Sequence, residues 1–498
     1  MHAITRWIDK RIDVTGLRRG LVDRQMPSGL TWWHTLGSAT LTVFLVQVVT
    51  GIVLAMYYSP SPDHAYDSIK YLERVIVSGA TLRGVHHWGA SAMVVLVLAH
   101  MIRVFSMGAY KYPREINWVL GVGLLFIVLG FSFTGYLLPW DQKAYWATQV
   151  GTNIAGTTPL VGSFMVKLLR GGSQLGAATL ARFFAFHVLL LPMLLMIVVL
   201  LHLGLVIRQG IAPRTKVLEE DAPARTTDPA YEAYYHTRYT ASKGAGVPFW
   251  PNIIYKDIIV GVIVVAILVL LARVTGAGLE SPADPSDSTY VPRPEWYFLP
   301  FFQLLKLVPG SWESAVAVGL PAVLVLVLLM LPFFDRRSIR SLAHRPVAAT
   351  SMGLLLAGAG FLIGAAVHQE PATVVVPEAG RVLSSIERSG RALFQRQQCA
   401  SCHFIAGQKP IDKKADTPDA PELTEVGLKH STAWMHSYIE DPVRFHPDSK
   451  MPAFGPPTLT HQEIEEITRY LATLRGSSGA KPEFRDTFPE PLKPPEKK

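Results

Sequence analysis

Four histidines occur at matched intervals on two long apolar stretches of the chain. His86 and His100 are fourteen residues apart, and His187 and His202 are fifteen apart. At about 100° per residue, either interval returns a side chain to roughly the same helix face, and at about 1.5 Å rise it separates the two levels by ~21–22 Å. Two such helices side by side would offer one histidine pair near each face of a bilayer whose hydrocarbon core is ~30 Å thick.

Haem ligation is the chemistry that this quartet predicts. One such histidine alone would be explained more simply as a hydrogen-bonded core residue. Four imidazoles at matched depth in lipid need a further explanation, because ionisable side chains are costly there. Bis-histidine ligation of two stacked b-type haems supplies it, since each iron takes a neutral ring nitrogen from either side.

Glycines repeat the same interval on two other apolar stretches. They form two pairs, each fourteen residues apart: Gly37 with Gly51, and Gly121 with Gly135. Missing side chains at the same two depths would let the edges of a macrocycle approach the backbone, although helix packing explains any single one. Arg83 and Arg103, near opposite ends of the second stretch, are predicted propionate partners; the alternative is that they only extend to the membrane interface.

A different cofactor motif lies near the C-terminal end. Cys399-Ala-Ser-Cys402-His403 matches the attachment pattern of a c-type haem, in which both thiols become thioethers and the histidine binds the iron. A chance pair or half of a zinc site is the alternative, but no second Cys/His pair with finger spacing follows. Met451, which precedes a proline in a loop, is the predicted sixth ligand, unless it is only a packing residue.

Long apolar stretches must position these residues in a membrane. The chain has 498 residues, of which 49% are hydrophobic and 17% charged, so it is a polytopic membrane protein with some soluble mass. The two cysteines exclude a disulfide framework. The hydropathy pattern predicts seven membrane-spanning helices at about 33–57, 80–105, 116–138, 182–207, 253–273, 315–334 and 347–367.

Basic residues alternate between the two sides of these spans. Segments on the N-terminal side hold 19 Lys and Arg residues, against 8 on the other side. The positive-inside rule therefore places the N-terminus in the cytoplasm, and seven crossings deliver everything after about residue 368 to the outside. Attachment of a c-type haem also requires that outside location. The net charge of +9 follows this topology, so no nucleic-acid partner is expected.

The predicted fold class is all-α: a seven-helix membrane bundle, made of a four-helix di-haem block and a three-helix block, with a small α-helical cytochrome c domain. Helices at 386–397 and 461–474 are expected to flank the c-type haem. The predicted boundaries are 1–210 for the four-helix domain, 211–252 for a polar cytoplasmic linker, 253–368 for the three-helix domain, 369–384 for a connector, 385–475 for the cytochrome c domain and 476–498 for a flexible tail.

Two local motifs give the chain a family resemblance. Pro294-Glu295-Trp296-Tyr297 resembles the PEWY motif of the Rieske/cytochrome b family, and the segment from Gly135-Tyr136 to Gln142 is similar to the family's segment after the third helix. The resemblance covers about residues 1–368, with a block similar to cytochrome b6 joined to one similar to subunit IV. The b6 branch carries a cysteine for an extra haem where this chain has Thr35, so no such covalently bound haem is predicted.

The resemblance implies a quinol:cytochrome c reductase core that works with a Rieske iron–sulfur protein in a bacterial cytoplasmic membrane. Quinol would dock between the outer b haem and the PEWY loop, where Glu295 would accept a proton and Pro294, Trp296, Tyr297 and Tyr136 would border the site. One electron would go to the Rieske centre and a c haem, and the other across the membrane to an inner quinone, with release of protons outside. Arg208 is a candidate for binding the inner quinone's charge; the alternative is that it only anchors the cytoplasmic end of its helix. A downstream c-type cytochrome or oxidase and a homodimeric complex are also implied.

Two other classes of function remain open on the residues alone. A di-haem membrane anchor, passing electrons from a bound dehydrogenase to quinone, would need only the first four helices and leaves the PEWY loop and the c-type motif unexplained. A transporter or scaffold with incidental histidines would show neither b-type nor c-type absorption bands.

Overall fold

The structure is a computed structural model, and the all-α prediction is confirmed. It describes residues 2–172, 174–285, 290, 293–368, 383–397, 399, 402–403, 405, 420–449, 451–475, 483–484, 486 and 488. The chain divides into two compact units: Met1–Ala283 with Pro292–Ala366, and Asp284–Val291 with Val367–Lys498. The predicted connector at 369–384 and the predicted tail at 476–498 lie largely outside the described residues.

In the described part of the chain, seven helices are long and apolar enough to cross a membrane. Spans 1 to 7 are Trp32–Tyr57, Gly79–Ser106, Glu115–Leu137, Ala177–Gln209, Ile254–Val274, Trp312–Phe334 and Pro346–His368. Each predicted span is found, with ends that differ by at most five residues. Large apolar side chains on their outer faces, such as Leu200, Val262 and Leu354, are exposed, which suits contact with lipid rather than water.

Shorter elements connect the spans. Helices in the first unit outside the spans are His2–Ile12, Val14–Leu21, Ala65–Arg74, Gln142–Gly156, Gly162–Arg170, Tyr231–Gly244 and Leu299–Leu307, with 3-10 turns at Thr215–Leu218 and Leu342–His344. A two-stranded antiparallel sheet pairs Gln25–Met26 with Val247–Pro248.

Spans 1 to 5 share one apolar core. Buried residues from all five meet there, including Phe44, Val94, Val128, Leu195 and Leu268. Spans 2 and 5 approach closely at Gly84, where an added Cβ would lie only 2.8 Å from the Cβ of Ala272. Small residues permit such contacts between helices in a membrane, where van der Waals packing drives association. The fifth span therefore belongs structurally with the first four.

Below, the end of the bundle that carries His100 and His202 is called the inner end, and the opposite end the outer end. At the inner end, Lys111 donates hydrogen bonds from Nζ to Asp335 Oδ1 at 2.8 Å and to the Ile339 carbonyl at 2.6 Å. Burial lowers the pKa of Lys111 to about 8. The buried Arg340 donates to the Gly108 carbonyl at 2.8 Å and to the Tyr231 hydroxyl at 3.0 Å. These contacts join the segments that follow spans 2 and 6 to the helix Tyr231–Gly244, so the predicted linker is a folded part of this unit.

The second unit is a small helical domain. Its helices are Ser385–Arg396, Val426–Lys429, Thr432–Glu440, Pro442–Phe445 and His461–Leu471. Capping boxes start its two longest helices: Ser384 pairs with Glu387, and Thr460 with Glu463. Each N-cap of this kind contributes about 1 kcal/mol to stability. The sequence predicts helices at 386–397 and 461–474, and both occur, the second ending at Leu471.

Candidate functional site

His86 and His187 face each other at the outer end of the bundle. Their ring centroids are 6.3 Å apart, and the ring planes cross at 72°. A metal bound at about 2 Å from one nitrogen of each ring would leave the centroids roughly 6 Å apart. The observed separation therefore fits one iron between the two imidazoles.

Two threonines orient these histidines. Thr50 Oγ1 lies 2.9 Å from His86 Nδ1, and Thr134 Oγ1 lies 3.1 Å from His187 Nδ1. Each hydroxyl donates its own hydrogen to a backbone carbonyl one turn earlier, at 2.7 Å for Thr50 and 2.9 Å for Thr134. Each hydroxyl must then accept from the ring, so both imidazoles carry hydrogen on Nδ1 and keep Nε2 free as a metal ligand. Metal-binding histidines commonly have their second nitrogen held in this way.

Span 4 contains a π-helical turn at the position of His187. The turn covers Phe186–Leu190, and the Leu191 N–H donates to the Phe186 carbonyl five residues back. Pro192 follows directly. In a regular α-helix its ring would clash with the carbonyl of residue 188, and proline has no N–H to donate to that carbonyl. The extra residue of a π turn explains how an interval of fifteen residues in span 4 matches fourteen in span 2.

Each glycine of the predicted set faces one of the four histidines. The distance from a Cβ built on the glycine to the histidine Cε1 would be 3.2 Å for Gly37 and His100, 3.2 Å for Gly51 and His86, 3.7 Å for Gly121 and His202, and 2.6 Å for Gly135 and His187. Side chains are therefore excluded most strictly at Gly135, where a methyl group would collide with the imidazole. The missing side chains on spans 1 and 3 therefore make room for the imidazole rings of the histidines on spans 2 and 4.

A cavity of about 1000 Å³ occupies the inner end of the bundle. His100, His202, Gly37 and Gly121 line it together. Arg103 also lines it, and its Nε and Nη2 atoms are buried with no hydrogen-bond partner among the described residues. A buried guanidinium without an acceptor is costly, so an anionic group such as a haem propionate fits this position. The cavity's size, its two histidines and its buried arginine agree with the predicted inner haem.

The other two predicted arginines have different surroundings. Arg83 forms an ion pair with Glu73 and donates at 2.8 Å to each of the carbonyls of Ala277 and Gly278. These contacts satisfy its guanidinium without a propionate, so its propionate role stays a prediction. Arg208 is exposed at the end of span 4 and is not among the described residues that line the inner cavity. Its quinone role also stays a prediction.

Glu295 pairs with a lysine that sequence reasoning missed. Lys143 Nζ lies 2.7 Å from Glu295 Oε1, and the two side chains are mostly buried. Lys143 also lies over the ring of Tyr136, 5.4 Å from its centroid, and the Tyr136 hydroxyl donates to the Arg293 carbonyl at 3.3 Å. The two motifs that carry the family resemblance thus meet around one ion pair.

The aromatic residues of the PEWY loop contact the spans beside the outer histidines. Trp296 Nε1 lies 3.4 Å from Ser91 Oγ in span 2, and the Tyr297 side chain hydrogen-bonds Ser132 in span 3. Burial raises the pKa of the Tyr297 hydroxyl, which therefore stays protonated at neutral pH. Pro294 is half-buried at the start of the loop. The loop thus lies next to the helix turns that hold His86 and Gly135.

Asp141 secures the segment between Tyr136 and Lys143. Its carboxylate accepts from the Ala144 N–H at 2.9 Å, as N-cap of the helix Gln142–Gly156, and from the Glu280 N–H at 3.1 Å. The Gln142 N–H donates to the Ser281 carbonyl at 2.9 Å. The segment after span 3 is therefore anchored to residues 280–281, which lie on the connection that leads to the PEWY loop.

In the second unit, the described residues of the CxxCH motif are Cys399, Cys402 and His403, and backbone hydrogen bonds hold them close together. The His403 N–H donates to the Cys399 carbonyl at 3.0 Å, and His403 Nδ1 donates to the Pro421 carbonyl at 2.9 Å. Nε2 of His403 is then the nitrogen left to bind iron. Met451 and Cys399 both pack against the apolar core of this unit, which contains Phe394. The two cysteines, His403 and Met451 of this unit are donors that suit a covalently held haem.

Sequence reasoning missed Thr50, Thr134 and Lys143. A signal for the threonines was present, because each immediately precedes a glycine of the predicted set, in Thr50-Gly51 and Thr134-Gly135. No local signal marked Lys143 as the partner of Glu295, since the two residues are 152 positions apart.

Three family models match consecutive parts of the chain. Residues 21–210 match cytochrome b/b6/petB, residues 282–386 match cytochrome b(C-terminal)/b6/petD, and residues 386–471 match cytochrome C oxidase, cbb3-type, subunit III.

Similar proteins include two bacterial cytochrome b subunits. The menaquinol:cytochrome c reductase cytochrome b subunit of Bacillus subtilis (strain 168) is 43% identical over 43% of this chain and 98% of its own length. The cytochrome bc complex cytochrome b subunit of Chlorobaculum thiosulfatiphilum is 35% identical over 68% of this chain and 74% of its own length. Among solved structures, a chain of a hyperthermophilic respiratory Complex III is similar, with a TM-score of 0.63 and 27% identity over 73% of this chain and 91% of that one.

Proposed function

The chain belongs to the cytochrome b/b6 family and carries a C-terminal cytochrome c domain, and from this premise we propose that it is the electron-transfer subunit of a quinol:cytochrome c oxidoreductase. It is an electron-transport protein with seven candidate membrane spans. The observation that carries the proposal is the position of the PEWY loop, whose Trp296 and Tyr297 contact the spans beside the outer histidine pair.

Haem b and haem c follow from the two kinds of domain. His86 with His187, and His100 with His202, would each hold one b haem, and Cys399, Cys402, His403 and Met451 would hold the c haem. When bound, these groups supply one-electron transfer, across the membrane for the b haems and to an outer acceptor for the c haem.

Glu295 would take one of the two protons that quinol releases. Its carboxylate is mostly buried and paired with Lys143, which holds it at one edge of the site. A carboxylate in that state can accept a hydrogen bond from a quinol hydroxyl and then the proton itself. Tyr136 and Lys143 would position it, while the apolar loop around Trp296 and Tyr297 would exclude water from the reacting ring.

The remaining parts of the proposal come from the family. A Rieske iron–sulfur protein would take the other electron, a downstream c-type cytochrome or oxidase would receive it from the c haem, and protons would leave on the outer side. The complex would be a homodimer in a bacterial cytoplasmic membrane, with the N-terminus in the cytoplasm and the c domain outside. Arg103 would bind a propionate of the inner b haem.

Co-purification tests this function directly. The complex, isolated from its native membrane through a tag on this chain, should contain a 2Fe–2S protein and reduce a c-type cytochrome with added quinol. The diagnostic measurement is the electron paramagnetic resonance spectrum of the reduced sample. A bound dehydrogenase in place of the 2Fe–2S protein, with no cytochrome reduction, would instead identify a di-haem membrane anchor.

Removal of both thiols should abolish covalent haem attachment. In the double variant Cys399→Ala and Cys402→Ala, haem staining of the denatured chain should disappear. Only thioether bonds keep a haem attached to a denatured chain, and this variant has no thiol to form them. The b-type absorption bands of the folded protein should persist, since the first unit keeps its four histidines. Stain that remained on the denatured variant chain would contradict the attachment site.

Loss of the sixth ligand should change the c haem without releasing it. Met451→Ala should retain the haem stain but lower the midpoint potential of the c haem, because a thioether ligand favours the reduced iron. Redox titration of the c-type absorption band measures the shift. Met435→Ala, at a buried position of the same core, serves as the packing control. Equal potentials in wild type and Met451→Ala would mean that another residue is the ligand.

A further inference from the structure

A cluster of two histidines and one glutamate lies on the second unit and includes no residue of the CxxCH motif. His436 and Glu440 are one turn apart on the helix Thr432–Glu440, and His461 is the first residue of the helix His461–Leu471. One ligand atom from each residue lies within 4.8 Å of the others. We propose that these three side chains form a binding site for a divalent transition-metal cation of the Zn²⁺ type.

The hydrogen bonding of His436 prepares it as a ligand. Its Nε2 lies 3.2 Å from the backbone carbonyl oxygen of His461, which can only accept. Nε2 therefore donates the hydrogen bond, which leaves Nδ1, 3.9 Å from Glu440 Oε2, as the ring nitrogen available to bind a cation. A histidine that donates one N–H to a carbonyl and presents the other nitrogen is the usual arrangement around a protein-bound metal.

The Glu440 carboxylate faces the Nδ1 atoms of both imidazoles. Its Oε1 is 3.7 Å from His461 Nδ1, and its Oε2 faces His436 Nδ1. Among the described residues, the ion pairs of this carboxylate are with these two histidines. Two imidazole nitrogens and one carboxylate are the donors of a three-ligand zinc site, with a fourth position for water.

Closing the cluster around an ion needs only small movements. Zinc binds nitrogen and oxygen at about 2.0–2.2 Å, which brings tetrahedral ligand atoms to roughly 3.3 Å from one another. The side chain of His461 is 67% exposed, which leaves room for it to move toward Glu440. The His436 and His461 rings already stack, with centroids 5.7 Å apart and planes at 13°.

An occupied site would connect two parts of this unit. It would link the end of Thr432–Glu440 to the start of His461–Leu471. The backbone of the first helix end already holds the segment that follows Met451, because the Phe454 N–H donates to the Ile439 carbonyl at 3.0 Å and the Gly455 N–H donates to the Glu440 carbonyl at 3.1 Å. The cation would thus lie beside the loop of the predicted haem ligand.

Zinc binding to the full-length chain tests the site. The purified, tag-free complex is stripped with chelator and dialysed against buffered Zn²⁺ at micromolar free concentration, and bound zinc per chain is measured by mass spectrometry. Wild type is compared with Glu440→Gln and His461→Gln. His446→Gln is the matched control, because His446 is exposed in the same unit and lies outside the cluster.

Wild type and His446→Gln should each bind one more zinc ion per chain than Glu440→Gln and His461→Gln. In these two cluster variants, the zinc affinity of the site should fall at least ~10-fold. An unchanged c-type spectrum shows that the variants are folded, and the exposed position of His461 makes that variant the safer of the two. Equal zinc content in wild type and His461→Gln, or an equal loss in His446→Gln, would overturn the proposal.

Discussion

Glu295→Gln is expected to slow quinol oxidation by ~10²-fold or more while all three haems and the fold are kept. This is the usual scale for losing a positioned general base, because glutamine has the shape of the carboxylate but cannot take a proton. Quinol would still dock against Trp296 and Tyr297, since their contacts with spans 2 and 3 do not involve the carboxylate. The effect should therefore fall on the rate of oxidation rather than on quinol binding.

The measurement is stopped-flow reduction of the b haems with an inhibitor at the inner quinone site. Glu313→Gln provides a matched control, because it makes the same change in the first turn of span 6 on the outer side. Reduction of the inner b haem through the inner site, with no inhibitor, should be nearly unchanged. Wild-type oxidation rates in Glu295→Gln would show that the protons leave by another route.

A substitution of Lys143 distinguishes the proton-accepting role of Glu295 from the effect of the ion pair that holds it in place. Lys143→Gln removes the ion pair at 2.7 Å but leaves the proton acceptor in place. Oxidation should therefore slow much less than in Glu295→Gln, because a carboxylate that has lost its partner can still accept a proton. An equal loss in both variants would mean that the pair acts as a unit or that its role is structural.

His100→Leu or His202→Leu should remove one b haem and leave the other. Leucine cannot bind iron, and the outer pair His86 and His187 keeps its own threonine partners at the opposite end of the bundle. Quinol should then reduce only the outer b haem, so that transfer to the inner quinone site stops. The expected b-to-c haem ratio falls from two to one.

Pyridine haemochrome spectra of the purified variants give this ratio. His34→Gln is the matched control, because His34 lines the same inner cavity but lies outside the histidine quartet. It should keep both b haems. Two full b-haem equivalents in either His100→Leu or His202→Leu would refute the pairing.

Periodicity along the chain determined the membrane part of this protein. An apolar stretch of about 20 residues must be helical in lipid, since its backbone groups can only bond within the helix. Each of the seven spans was therefore predictable, as were the levels of the four histidines and the four glycines on them. The chemical character of Cys399-Ala-Ser-Cys402-His403 is equally local, because its attachment chemistry depends on five consecutive residues.

Tertiary structure alone decided which groups face each other. The interval from His187 to His202 matches that from His86 to His100 more closely than in two regular helices, because Pro192 is accompanied by a π turn that takes up one extra residue in span 4. Side-chain periodicity of a regular helix cannot show that insertion. The threonines that set the histidine tautomers act between spans, at distances that depend on helix packing.

The ion pair of Glu295 shows the same limit more clearly. Its partner Lys143 is 152 residues away, on a segment anchored through Asp141 to residues near Glu280. A mostly buried carboxylate needs a cation or hydrogen-bond donors, and the sequence offers many lysines and arginines that could fill that role. Only the folding of two distant connections onto the outer end of one bundle selects Lys143, because burial and proximity arise from packing and not from spacing along the chain.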